Sequence, residues 1–369
     1  EGRGPVNARG LAFYDRLVDE LLEAGIEPWL TLFHWDFPSA LQLQGGWLNP
    51  DSPRWFADYA TIVAERLGDR VRRWMTINEP QVYIGLGHRD GTHAPGFKLP
   101  TAQWLLAGHR TLIAHGLGAQ AVRASAKARP SVGWAVVARV EYPATDAPAD
   151  IEAARRSTLS VVSKDTWSNT WWADPAILGH YPEDGLRLFG ADAPTPAPGD
   201  LETIRQPLDF YGINVYDAEV YRAGPDGRPA MVAHPPGHPR TAFNWPIVPD
   251  ALYWGAKFLQ ERYKLPIIVT ENGLSNTDWV DLDGKVRDPQ RVDYTRRYLQ
   301  GLRRAASEGV DIRGYFHWSL LDNFEWAEGY NQRFGLVHVD FATQRRTLKE
   351  SAHWYRGVIE SNGAALGPE

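Results

Sequence analysis

Two glutamates stand where a strand gives way to a turn: Glu79 in Trp74-Met75-Thr76-Ile77-Asn78-Glu79-Pro80, and Glu271 in Ile267-Ile268-Val269-Thr270-Glu271-Asn272-Gly273. Taken singly, each reads as a carboxylate at a strand end, stabilising a helix N-terminus or a tight turn. Taken together, 192 positions apart at the C-terminal ends of two strands of one sheet, they supply what cleavage of a glycosidic bond needs. One neutral carboxyl protonates the leaving oxygen, and one ionised carboxylate about 5 Å away attacks the anomeric carbon. The chain is also rich in rings, with 16 Trp, 15 Tyr and 13 Phe against 2 Met. Aromatic faces pack on the C–H faces of sugars and leave indole N–H and phenol O–H groups for hydroxyls, although a large Trp-using core would give the same count.

The elements that must hold these residues repeat in a fixed order. Phe13, Tyr14, Leu17, Val18, Leu21 and Leu22 recur at helical spacing between an Asn7 cap and a Gly25 stop. The apolar run 26–33 follows, ending at His34-Trp35-Asp36. Helices at 53–67, 103–126, 152–171, 249–263 and 291–307 then alternate with strands at 72–77, 131–138, 208–213, 266–270 and 312–317. Alternation of this kind implies a parallel sheet wrapped by helices. Polar and aromatic residues after nearly every strand favour a (β/α)8 TIM barrel, whose sites are built from the loops at one rim, over a doubly wound sheet with a single switch point. No G-x-G-x-x-G follows a strand, and Gly85-Leu86-Gly87 reads as a turn. The Pro/Gly-rich stretches 193–200 and 224–240 read as rim loops, so residues 1–369 are expected to form one catalytic domain. Eight strands are needed and six are found. At about 250 residues for eight βα units, the two front units, roughly 60 residues, are expected to be missing and the barrel open-sided.

Composition excludes much else. A formal net charge of −6 offers no basic field to a nucleic acid, and no stretch approaches the eighteen or so apolar residues of a membrane span. There is no cysteine, which removes disulfides and thiol chemistry and suits a cytoplasmic location. The opening EGRGPVNARG has no apolar signal region. The 11 His residues show no metal-binding spacing, and Asp281-Leu282-Asp283-Gly284 reads as a turn rather than a calcium loop, so no cofactor or metal is expected. The Arg pairs at 155–156, 296–297 and 303–304 read as solvated helix faces.

Five ordered motifs give the chain a family likeness: Thr31-Leu32-Phe33-His34-Trp35-Asp36, Thr76-Ile77-Asn78-Glu79-Pro80, Gly212-Ile213-Asn214-Val215-Tyr216, Val269-Thr270-Glu271-Asn272-Gly273, and Gly314 through Tyr330, GYFHWSLLDNFEWAEGY. With these the sequence resembles glycoside hydrolase family 1, the β-glucosidase family, nearly to residue 362. The resemblance implies that Glu79 is the general acid/base and Glu271 the nucleophile. It further implies that His34 and Asn78 bind the sugar, that Tyr216 holds the nucleophile through its phenol, and that Asn214 supports the loop. Trp318 is implied as the floor of the pocket, with Glu325 and Trp326 reading the outer hydroxyls. Trp245 and Phe334 match aglycone-side and rim positions. Members acting on 6-phosphorylated sugars carry small and basic residues in place of the Glu325-Trp326 pair, and thioglucosidases lack the acid/base, so unphosphorylated O-glycosides are the implied substrates. A sugar-binding Gln and an Arg beside the nucleophile, borne by the front strands of family members, have no counterpart in this chain. The expected function is therefore exo-acting, retaining hydrolysis of β-glucosides, with β-galactosides or β-fucosides as further substrates. A silent sugar-binding or scaffold protein and a transglycosidase are the alternatives. The expected partner is a small β-glycoside or short oligosaccharide, neither nucleic acid nor membrane, with a missing N-terminal segment or a second copy as candidate protein partners.

Overall fold

The computed structural model describes residues 2–367. Two compact units divide the chain: the first runs to Val137 and again over Ser160–Gly212, and the second takes Ala138–Leu159 and everything from Ile213. Six strands make the main sheet: β1 (Trp29–Phe33), β2 (Arg73–Asn78), β3 (Ser131–Val137), β4 (Tyr211–Asn214), β5 (Ile267–Asn272) and β6 (Ile312–His317). They hydrogen-bond in sequence order, and β1–β2, β2–β3 and β5–β6 are parallel. This is the alternating βα pattern of a TIM-type barrel. Among the described residues the sheet is open, with β1 and β6 at its ends.

In the first unit β2 and β3 are buried along almost their whole length, because both faces are covered. Trp74, Ile77 and Trp134 are fully buried, and Trp74 donates its indole N–H to the Val71 carbonyl at 3.1 Å. The Thr76 hydroxyl and His115 Nδ1 share a hydrogen bond of 2.6 Å, and burial pulls that imidazole down to about 4, so it is neutral. Gly133 is required where it lies, since a Cβ there would collide with the Phe210 ring. Helix Ala8–Glu23 starts as its sequence dictates, with Asn7 Oδ1 accepting from the Gly10 N–H at 3.1 Å, and it ends at Gly25 with φ +74. Val18 is buried, yet Phe13, Tyr14, Leu17 and Leu22 of the same apolar stripe are exposed.

Three expectations are corrected. Residues 152–171 do not form one helix: it runs Pro148–Thr158 and stops, and a short helix resumes at Thr170–Ala173. Between them the Asp165 carboxylate accepts the Ser163 hydroxyl and the Trp167 N–H, a local turn that competes with helix continuation. The stretch 224–240 is not all loop, because Pro229–Val232 pairs antiparallel with Glu219–Ala223 around a turn that Gly227 closes at φ +72. Gly85 and Gly87 belong to a π-helical turn, Gly85–Arg89, where a Cβ on either would strike Thr166 Oγ1 or the Ala94 carbonyl.

Asp281–Gly284 is a turn, as read, closed by the Gly284 N–H on the Asp281 carbonyl at 2.9 Å, and Arg287 holds both aspartates. No described helix is long and apolar enough to cross a membrane.

Candidate active site

Both glutamates lie at a departure from regular pairing, Glu79 just after it and Glu271 within it. Met75 pairs with Gly133 and Asn78 with Ala135, so three steps along β2 match two along β3. On β5 and β6, Val269 pairs with Tyr315 and Asn272 with His317, again three steps against two. Such bulges re-aim the side chain that follows and are common beside active sites.

In the first unit Glu79 continues β2 by one bond, its N–H donating to the Ala135 carbonyl at 2.8 Å. It then adopts the left-handed conformation, φ 47, ψ 65, and helix Pro80–Ile84 begins at once. Pro80 suits that first helical position because its missing N–H has no partner to lose. Glu79 is buried, with 7% of its surface exposed. The Asn78 amide donates to His34 Nε2 at 3.3 Å. Burial pulls His34 down to about 4, so near neutrality it is uncharged, accepts at Nε2 and carries its proton on Nδ1. Trp35, also at positive φ, donates its indole N–H to the Asn78 carbonyl at 3.0 Å and packs its ring by His34 and His93.

In the second unit Glu271 lies inside β5, 8% exposed, and Tyr216 Oη donates to its Oε2 at 2.7 Å. Tyr216 is itself clamped. Its carbonyl accepts the phenols of Tyr294 and Tyr298, each at 3.0 Å, and its ring meets Trp245 and Phe334 at 5.2 and 6.0 Å. The Val215 N–H donates to the Glu271 carbonyl at 3.0 Å, and Thr270 donates to Asn214 Oδ1 at 2.5 Å. Asn272 Nδ2 donates to the Val215 carbonyl and to Tyr294 Oη, while Tyr315 donates to Asn272 Oδ1. Burial pushes the three phenols of Tyr294, Tyr298 and Tyr315 above their usual range, so they remain protonated donors. Gly273 is fixed by space: a Cβ there would collide with the Trp318 carbonyl, whose own N–H donates to Asn272 at 2.9 Å.

Trp318 is half-buried after β6. Glu325 and Trp326 stand further along the same arm, where Glu325 closes a turn with Gly329 through its N–H at 2.7 Å and Trp326 has φ 43. Burial, and then the like charge of Glu328, push Glu325 up to about 7. Trp245 is half-buried and stacks on Phe243 at 4.5 Å. Phe334 is buried, 3% exposed, against Tyr216 and Phe243 rather than lying at a rim. Sequence reasoning missed Trp35, Tyr294, Tyr298 and Tyr315. Tyr294 and Tyr298 are one helical turn apart on helix Pro289–Ser307, the spacing that puts two side chains on one face, and that was the available signal. Among the described residues no group of three His, Asp or Glu side chains is placed to hold a metal.

A barrel-type sheet that ends two of its strands in buried, individually oriented glutamates is the scaffold of a glycosidase. The chain belongs to glycosyl hydrolase family 1, whose model matches residues 1–364, and it is a β-glucosidase-like hydrolase. It is 41% identical over 366 residues to the 1,4-beta-D-glucan glucohydrolase of Thermotoga neapolitana, a match covering 98% of this chain and 80% of that protein. It is 40% identical over 386 residues to the bifunctional beta-D-glucosidase/beta-D-fucosidase of Bifidobacterium breve, with 98% and 81% covered. Among solved structures, the beta-glucosidase from Thermotoga maritima in complex with glucoimidazole matches with a TM-score of 0.87 at 40% identity, over 98% of this chain and 80% of that one.

Proposed function

We propose that this chain is an exo-acting, retaining β-glycosidase for unphosphorylated β-glucosides, accepting β-galactosides or β-fucosides as well, in which Glu79 is the acid/base and Glu271 the nucleophile. The observation that carries this reading is the phenol of Tyr216 on Glu271 Oε2 at 2.7 Å. An O–H that donates to a carboxylate stabilises its ionised form and fixes the lone pairs of the other oxygen, which is what an attacking carboxylate needs.

In the first step Glu79 gives its proton to the glycosidic oxygen as the C1–O bond breaks, and Glu271 forms an ester at C1 with inversion. In the second, Glu79, now ionised, takes a proton from water while that water's oxygen attacks C1 and the ester to Glu271 breaks. Two inversions give retention, Glu79 is protonated again, and no cofactor enters. His34 and Asn78 are assigned to the glycone hydroxyls, Trp318 to the sugar's apolar face, and Glu325 and Trp326 to the outer hydroxyls, with Trp245 on the aglycone side. Phe334 and Asn214 act by holding Tyr216 and the loop of the nucleophile. We further infer that the whole chain works as one catalytic domain in the cytoplasm; support for the single domain comes from a family match that runs across both units. Proton NMR during hydrolysis of an aryl β-glucoside tests the stereochemistry: β-glucose appears first if the mechanism is retaining, and α-glucose appearing first overturns it.

A further inference from the structure

The steps above leave unused a buried ionic network in the second unit. Lys349 Nζ donates to Asp278 Oδ2 at 2.5 Å and to Asp322 Oδ1 at 2.8 Å. Arg291 donates to Asp278 Oδ2 at 2.7 Å and to Asp288, Arg333 donates to Asp322 Oδ2 at 2.6 Å, and the Ser351 hydroxyl donates to Asp288 at 2.6 Å. Three carboxylates thus meet three cations, and the side chains of Lys349, Arg291, Asp288 and Asp322 are wholly buried. Burying such charges costs about as much as their attraction returns, so what the network contributes is geometry more than stability.

What it holds in place is informative. Asp322 sits on the arm between Trp318 and Glu325, and its carboxylate also accepts the N–H groups of Gly335 at 3.0 Å and Val339 at 3.3 Å. Gly335 must be glycine, because a Cβ there would collide with the Asp322 backbone. The arm cannot be held by apolar packing alone, since Leu320 and Phe324 on either side of Asp322 are 67% and 54% exposed. Asp278 lies on the segment that leaves Glu271, and Arg291 binds that same segment at the Leu274 carbonyl, 3.3 Å away. A single ammonium group, that of Lys349, therefore ties the arm of Trp318 and Glu325 to the segment following Glu271.

We infer that Lys349, bridging Asp322 and Asp278, is a positioning residue for glycone recognition: it sets Glu325 against the outer hydroxyls of the sugar relative to the strand that carries Glu271. The inference rests on the assignment of Glu325 to those hydroxyls. It predicts that loosening the bridge changes which sugar is preferred, whereas a merely structural network would lower activity on all sugars alike.

The test compares kcat/KM for an aryl β-glucoside with that for the matching aryl β-xyloside, which lacks the hydroxymethyl group. The ratio does not depend on the fraction of protein that is folded. Glu325→Gln, Asp322→Asn and Lys349→Arg are measured side by side in the full chain; Lys349→Arg keeps the charge while moving the donors. A fall of about tenfold in the glucoside/xyloside ratio is expected for Glu325→Gln, the size of one charged hydrogen bond lost. Lys349→Arg and any foldable Asp322→Asn should lower it about threefold or more, mainly through KM for the glucoside. If Glu325→Gln lowers the ratio and Lys349→Arg leaves it unchanged, the positioning role is overturned. If Glu325→Gln itself leaves the ratio unchanged, the assignment of Glu325 fails first and the inference falls with it.

Discussion

The two strand ends that carry Glu79 and Glu271 solve the same placement problem by different means. Each has the same three-against-two slip beside it, ahead of Glu79 on β2 and around Glu271 on β5. Glu79 is aimed by backbone, in a left-handed conformation that costs a non-glycine residue about 1 kcal/mol, directly before Pro80 and its helix. Glu271 stays inside its strand and is aimed by a side chain, the Tyr216 phenol, itself clamped at its carbonyl by two buried tyrosines. The difference suits the two duties proposed for them. A nucleophile is ionised whenever it must attack, so a permanent O–H donor on it is an advantage, whereas an acid/base must pass through both protonation states in every turnover.

Removing each carboxylate should break the comparison most visibly. Glu271→Gly is expected to lose on the order of 10⁵-fold in kcat, and azide should restore turnover of an activated aryl glucoside as the α-glycosyl azide. Glu79→Ala is expected to lose about 10³-fold on alkyl glucosides while still forming the intermediate quickly from activated aryl glucosides, and azide should then give the β-glycosyl azide. Product NMR distinguishes the two, and the same anomer from both variants would refute the division of roles. A smaller effect sharpens the contrast: Tyr216→Phe removes one charge-assisted hydrogen bond, about 2 kcal/mol, and should lower kcat by about 30-fold without changing the anomer formed.

The smallest effect is a matter of pH. Glu325 sits near 7 in the folded protein against 4.5 as its ordinary value, raised first by burial and then by Glu328. A carboxyl raised on folding binds its proton more tightly in the native state, so the native state loses stability as pH climbs from about 4.5 to about 7. Thermal melts of Glu325→Gln should lack that part of the decline and match or exceed the wild type at pH 8. A Glu325→Gln protein that melts lower than the wild type at pH 8, with the same pH slope, would contradict this.

The strands and the strand-end places of both glutamates were legible in the sequence because buried parallel strands read as short, mostly apolar runs, and a carboxylate at the end of one stands out. The helix ending at Thr158 was not, since no glycine or proline marks its stop. The apolar stripe of helix Ala8–Glu23 announced a buried face, yet only Val18 of the residues that define it is buried. Nothing local in the sequence links residues 278, 322 and 349, so the network that joins them emerges only from the fold. The clamp on Tyr216 was half visible, because the spacing of Tyr294 and Tyr298 showed a shared face but not what that face would meet.

The central claim, that Glu271 rather than Glu79 becomes covalently bonded to the sugar, is tested most directly by trapping. A 2-deoxy-2-fluoro-β-glucosyl fluoride slows both steps but leaves the first fast enough to accumulate the ester. Mass spectrometry of the peptic digest should place one fluoroglucosyl group on the peptide that contains Glu271, with release on adding an acceptor sugar. Label on the peptide containing Glu79, or full turnover with no labelled peptide at all, would contradict the account.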